Sequence, residues 1–145
     1  GREAARAATL ALEDAHVDTS EIDYVNAHAS STPLGDIAEA RALGLALGDR
    51  ARTVPVSGTK ALYGHPLGAS GAIEALICAL TIRDGWAPPT VNLETPDPAV
   101  AELLPNVLRE GRAGSYRRVL STSFGFGGLN AALVLGAVDS PISRA

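Results

Sequence analysis

"SGTKALYGHPLGASGAIEA", residues 57–75, decides how this chain is read. A strand-like approach runs into a glycine-spaced loop and then into a helix. Ala69, Ala72, Ile73, Leu76, Ile77 and Leu80 recur at i, i+3, i+4, i+7, i+8 and i+11, the helical period. The other faces are nearly as apolar, so the spacing predicts a helix buried on several sides and ending near Asp84-Gly85. Glu74 is its one formal charge between Ala69 and Ile82. A lone buried carboxylate is costly, so it should be protonated or paired, with Lys60 on the feeding loop as the natural partner. A carboxylate that simply reaches solvent is the alternative. His65 precedes the helix, among Gly64, Gly68 and Gly71, which let backbone and ligand approach closely. The positive end of the helix favours a neutral imidazole, able to donate one N–H to an oxygen gaining negative charge. The plainer reading is a helix-entry histidine packed on Tyr63.

Upstream, "YVNAHASSTPLGD", residues 24–36, places His28 where a strand of residues 24–27 hands over to a loop, a common location for function. By itself His28 also reads as a loop histidine satisfied by neighbouring hydroxyls. Before it, Ala5, Ala8, Leu12 and Ala15 mark a first helix over residues 2–15, and Asp18-Thr19-Ser20-Glu21 resembles a capping box. After it, Pro33 and Asp36 suit the start of a second helix with the face Ile37, Ala40, Gly44 and Leu47. "RTVPVSGT", residues 52–59, reads as a strand that Pro55 weakens.

Downstream, residues 86–106 form a proline-rich ordered crossing. "RRVLSTS" and "NAALVLGAV" then read as an antiparallel pair around "FGFGGL", residues 124–129. The glycines there could let a peptide N–H cradle an oxyanion or phosphate; a hairpin turn is the ordinary reading. That loop lacks the strand-to-helix context of a dinucleotide fingerprint. Residues 139–145 read as a frayed tail beyond a single unit over 1–138. Alternating helices and short strands indicate an α/β layered fold.

The composition sets limits. Apolar residues make up 46% and charged residues 19%, as in a globular protein with a generous interior. The apolar run near Ile73–Leu80 is too short to span a bilayer, and no secretory pattern is present, so no membrane association is expected. A net charge of −4 argues against nucleic-acid binding. One cysteine suits a reducing cytoplasm. Cys78 lies mid-helix without a turn to expose it, and apolar burial raises a thiol's pKa, so it reads as packing and not as a nucleophile. His16 reads as a surface residue. His28, Asp36, His65 and Cys78 have no recognised ligand spacing, and no metal is expected. The chain has no methionine and opens directly in a helix, which reads as a piece of a longer chain; a start codon removed before Gly1 is the alternative.

Three ordered stretches together resemble the β-ketoacyl-[acyl-carrier-protein] synthases, the condensing enzymes of fatty-acid and polyketide synthesis. "NAHASSTPLGD" is similar to NAHGTSTPxGD, "GTKALYGHPLGASGAIEA" to S-[ST]-K-x-x-x-GH-x-x-GAAG-x-x-E, and "SFGFGG" to the family's closing motif. The resemblance implies the C-terminal half of a thiolase-type α-β-α-β-α fold, usually homodimeric, with a mixed sheet ending in an antiparallel pair. It implies that the nucleophilic cysteine lies in an N-terminal half absent here. His28 and His65 would donate to an enolate oxygen, with Lys60 and Glu74 as a supporting pair and Asp36 assisting. The N–H of Phe126 would complete an acyl-transfer oxyanion hole and its ring would gate the acyl pocket. Ser30 and Thr32 would bond phosphopantetheine, and Phe124 and Gly125 would line the same path. No resident cofactor is implied, because substrates arrive on acyl carrier protein. A non-catalytic chain-length subunit of a heterodimeric polyketide synthase is the alternative, and an unrelated thioester- or phosphate-binding module a weaker one. Three departures stand out: Ala29 replaces a glycine, Ser30 replaces a threonine but keeps its hydroxyl, and Gly58 stands where serine or threonine is common. Thiolases fit less well, since "SFGFGG" replaces their Cys-x-Gly close.

Overall fold

The computed structural model of the chain describes residues 1–138. Helix α1, Arg2–Asp14, buries Ala5, Ala8 and Leu12 as its spacing predicts, while Ala15, expected on the same stripe, caps the helix end and is exposed. A capping box follows: Asp18 accepts from the Ser20 N–H at 2.9 Å, and Glu21 accepts from the Asp18 N–H at 3.0 Å. The chain then enters β1, Tyr24–Asn26, with all three residues buried. Helix α2 is Gly35–Leu47, β2 is Val56–Ser57, and a single turn, α3, spans Lys60–Tyr63. Helix α4 is Ser70–Asp84 and ends on Gly85 at φ +65°, a left-handed cap that glycine supplies without strain. The last two strands are β5, Arg118–Phe124, and β6, Asn130–Gly136.

One four-stranded sheet runs in the order β2-β1-β5-β6. β1 is parallel to both β2 and β5, while β5 and β6 are antiparallel from Arg118↔Gly136 to Phe124↔Asn130. Alternation along the strands sorts the core into two layers. Val25 and Leu120 face α1 and α2 and pack with Ala8, Leu12, Ala40, Leu43 and Leu47. Tyr24 and Val119 face α4 and pack with Cys78. The architecture is therefore helices, sheet, helix, with both histidine loops at the ends of the parallel strands β1 and β2.

The sheet departs from the sequence expectations in three places. The strand expected over residues 52–59 shortens to Val56–Ser57, because Gly48–Arg52 winds as a 3-10 helix and Pro55 offers only its carbonyl, which the Val25 N–H takes at 2.9 Å. The proline-rich crossing contains a helix, α5, Pro98–Leu103, whose start is capped by Asp97 accepting from the Ala99 N–H at 2.8 Å. Two short strands, β3 (Trp86–Ala87) and β4 (Arg112–Ala113), pair antiparallel, with β3 against α4. The expected frayed tail lies outside the described residues.

Helix α4 is not buried on several sides. Its sheet-facing stripe is Ser70, Glu74, Cys78 and Thr81, while Ala69, Ala72, Leu76 and Leu80 are exposed, Leu76 to 66%. The polar residues point inward and the apolar ones outward. Partners for the inward set make this tolerable: Glu74 pairs with Lys60, Ser70 bonds His65, and Cys78, a small apolar side chain, packs on Tyr24 and Val119.

Candidate active site

Two loops leave the sheet side by side. His28 follows β1 and His65 precedes α4, and their rings meet edge to face, centroids 5.4 Å apart and planes at 82°. The Phe124 ring lies 5.8 Å from the His28 ring on another side. The Nδ1 of His65 is 2.8 Å from the Ser70 hydroxyl at the first residue of α4, which leaves Nε2 for a ligand.

Lys60 links the loops. Its ammonium, 5% exposed, donates to the His28 carbonyl oxygen at 2.5 Å and forms an ion pair with Oε1 of Glu74, itself 0% exposed. The pairing left open by the sequence is therefore made. Tyr63 Oη adds a long 3.5 Å contact to the same oxygen, and Oε2 of Glu74 has no partner among the described residues. Burial pushes the Glu74 carboxyl up and Lys60 pulls it back.

The imidazole of His28 is pushed down to about 4, first by burial, then by the Lys60 charge and by His65. It is thus neutral at physiological pH. A linkage consequence follows. His28 binds a proton more readily unfolded than folded, so its contribution to stability is complete above about pH 6.5. That contribution is lost as pH falls from there towards about 4. His28 proton resonances in a titration are expected to move with a midpoint near 4, well below the ordinary histidine range; a midpoint near 6.5 overturns this.

Glu39 was not singled out in the sequence, yet it shapes the His28 loop. It is buried in α2, on the same face as Ala40, Leu43 and Leu47. Its Oε1 accepts from the His28 N–H at 2.8 Å and the Thr122 hydroxyl at 2.8 Å, and its Oε2 accepts from the Ala29 N–H at 2.7 Å. Burial raises its pKa against these donors, which favour the carboxylate. A charge on the inward face of a helix was the available signal. Because both oxygens accept main-chain N–H groups, glutamine would turn a donor towards a donor. Glu39→Gln is expected to cost nearly as much as Glu39→Ala, about 3 kcal/mol in urea unfolding from unsatisfied buried donors. A Glu39→Gln protein as stable as the parent contradicts this.

The remaining sequence candidates fall into two groups. Asp36 accepts from the Ser31 N–H at 3.1 Å and so braces the His28 loop. Thr32 accepts from the Gly35 N–H at 3.2 Å and lies 3.5 Å from the Ser30 hydroxyl, on the accessible rim of that loop. Gly125 donates its N–H to Leu129 at 2.7 Å and closes the hairpin, where Gly127 and Gly128 take φ of +76° and +80°. Phe126 is wholly exposed at its tip, while the Phe124 ring stands beside that of His28. Cys78 is fully buried and its thiol is pushed up to about 12, chiefly by burial. His16 is exposed, at φ +53° after α1. Among the described residues, no three His, Cys, Asp or Glu side chains gather to hold a metal ion, and no helix is long and apolar enough to cross a membrane.

Residues 1–94 fit the family described as β-ketoacyl synthase, C-terminal domain. The chain belongs to that family. Over 128 residues this ketosynthase domain is 48% identical to 3-oxoacyl-[acyl-carrier-protein] synthase 2 of Coxiella burnetii, covering 88% of this chain and 30% of that protein. Two solved structures resemble it closely. One is a type II polyketide synthase acyl-carrier protein in complex with its ketosynthase bound to the hexaketide (36% identity, TM-score 0.87, 93% of this chain and 33% of that one). The other is a ketosynthase in complex with its chain length factor from Xenorhabdus doucetiae (33% identity, TM-score 0.82, 93% and 33%). The domain spans about a third of the length of each of these proteins. Its helix-sheet-helix layers are the C-terminal portion of the thiolase-type fold that ketosynthases share.

Proposed function

We propose that this domain supplies the histidine, lysine and gating part of a decarboxylating β-ketoacyl-[acyl-carrier-protein] synthase acting in the cytoplasm. The observation that carries the reading is the meeting of His28 and His65 over Lys60, with His28 neutral. In the proposed reaction the bond from the malonyl α-carbon to its carboxylate breaks. Carbon dioxide leaves, and the electron pair passes to the thioester oxygen as an enolate. Both imidazoles donate an N–H to that oxygen. The enolate carbon then attacks an acyl thioester held on a cysteine, and the thiolate departs as the β-ketoacyl product forms.

The nucleophile is supplied from outside residues 1–138, since the Cys78 thiol is buried and resists ionisation. Ser30 and Thr32 receive the phosphopantetheine arm beside Phe124 and Gly125. The N–H of Phe126 serves the acyl-transfer oxyanion, and its exposed ring closes over the acyl chain when the rest of the fold is in place. The outward apolar stripe of α4 meets that same remainder, so the 145 residues alone are inactive. An acyl carrier protein is the partner that delivers substrate, and pairing is with a second copy or a related subunit. No cofactor resides in this domain. Retention of His28, Lys60 and His65 together favours the condensing enzyme over a chain-length subunit.

Carbon dioxide release from malonyl-carrier protein by the full-length protein is the deciding measurement. A protein that binds the carrier and releases none overturns the proposal.

A further inference from the structure

Ala29 and Gly58, two of the three departures from the family pattern, face each other. Ala29 holds φ +37°, and Ser31 beyond it +59°, both in the left-handed region that residues with a Cβ avoid. A methyl built on Gly58 would stand 2.6 Å from the Ala29 Cβ, with Thr90 Cγ2 next at 3.8 Å. Carbon atoms pack at about 3.5–4.0 Å, so the gap between the loops holds one methyl and not two. Neither Cβ can swing aside, because each is set by its own backbone.

The two loops are also tied from every side. Glu39 takes the N–H groups of His28 and Ala29, and Lys60 takes the His28 carbonyl. On the other loop, Gly58 donates to the Thr90 hydroxyl at 3.0 Å, and Ser57 accepts from the Ala27 N–H at 3.0 Å. A change of size between them cannot be absorbed by free drift; it must displace the main chain at His28 or at Lys60.

We propose that Ala29 and Gly58 are a size-matched pair of positioning residues, in which the Ala29 methyl is the spacer that sets the His28 loop against the loop feeding Lys60. Relative to the family pattern, a glycine at 29 facing serine or threonine at 58, the single Cβ in this gap has changed sides, so each residue fits the other. The proposal deepens the condensing-enzyme reading and rests on it only for the rate measurement.

The experiment is a double-substitution cycle in the full-length protein, using Ala29→Gly, Gly58→Ala and the pair together. Gly58→Ala has to open the contact by about 1 Å. Misplacement on that scale costs about a hundredfold in rate, so kcat for malonyl decarboxylation is expected to fall about a hundredfold with KM little changed. Ala29→Gly alone is expected to cost a few-fold, and the double variant to recover to within a few-fold of the parent. The ring 15N signals of His28 give a second readout that needs no activity. They shift in Gly58→Ala and return in the double variant. If Gly58→Ala fails to fold, a folded double variant with parental His28 signals still supports the pairing. Parental His28 signals in Gly58→Ala, or no recovery in the double variant, overturns it. A parent that shows no decarboxylation removes the functional reading but leaves the spectroscopic cycle to decide the pair.

Discussion

Replacing His65 with alanine in the full-length protein is expected to slow malonyl decarboxylation by about 10²–10³-fold, the usual cost of one preorganised donor to a developing oxyanion. The size follows from which nitrogen is available. Ser70 begins α4, whose positive dipole end disfavours a proton on the ring nitrogen beside it. The 2.8 Å contact between Ser70 Oγ and Nδ1 therefore reads as hydroxyl donating to ring, which places the ring proton on Nε2. That proton meets negative charge only once carbon dioxide begins to leave. The loss should therefore fall on kcat, with KM for the malonyl carrier nearly constant. His28→Ala should cost a similar factor. The double variant should lose less than the product of the two, since both donors serve one oxygen. His65→Gln, which retains an amide N–H, should recover part of the rate. Parental turnover by His65→Ala would sink the assignment of roles.

The fold was legible wherever period and punctuation agreed. In α1 the stripe Ala5, Ala8 and Leu12 faces the core as spacing requires, and the β5–β6 hairpin sits around its glycines. Helix α4 shows the limit. A period of 3.6 locates an apolar face but does not say what covers it, and here the described sheet is covered by the opposite face. Hydropathy cannot foresee that Ser70, Glu74, Cys78 and Thr81 turn inward, because that choice depends on partners from other segments: His65 for Ser70, Lys60 for Glu74, and Tyr24 and Val119 for Cys78. The short β3–β4 ladder was invisible for a related reason, since two-residue strands carry no alternation.

The site divides along the same line. His28, His65, Lys60 and Glu74 announced themselves by residue type and position, and the structure brings the four together. Glu39 and Ser70 did not, because both work on the loops and not on a substrate. Ile37 and Gly44, expected on the inward face of α2, are half-buried, while Glu39 and Leu43 take the deeper positions. The bonds from Glu39 to two successive main-chain N–H groups outweigh the preference for an apolar residue there.

Removing Glu74 should have the second large effect, and its two consequences can be separated. Lys60 is buried like its partner, so Glu74→Ala leaves an ammonium with only the His28 carbonyl as a hydrogen-bond partner among the described residues. Breaking a buried pair in this way typically costs about 3–5 kcal/mol, a large fraction of a domain's stability. Urea unfolding of the full-length protein should register it. Replacing both partners with methionine tests what the pair is for. Apolar residues of similar volume relieve the stranded charge, and such swaps are often neutral or stabilising. Stability should therefore return in the Lys60→Met, Glu74→Met double variant. The rate should not return, because the Lys60 charge that helps hold His28 neutral and its bond to the His28 carbonyl are both gone. In that variant His28 loses the second of the influences pushing its pKa down, and its titration midpoint should rise from about 4. Recovery of both stability and turnover would reduce the ion pair to scaffold and leave the two imidazoles to act without it.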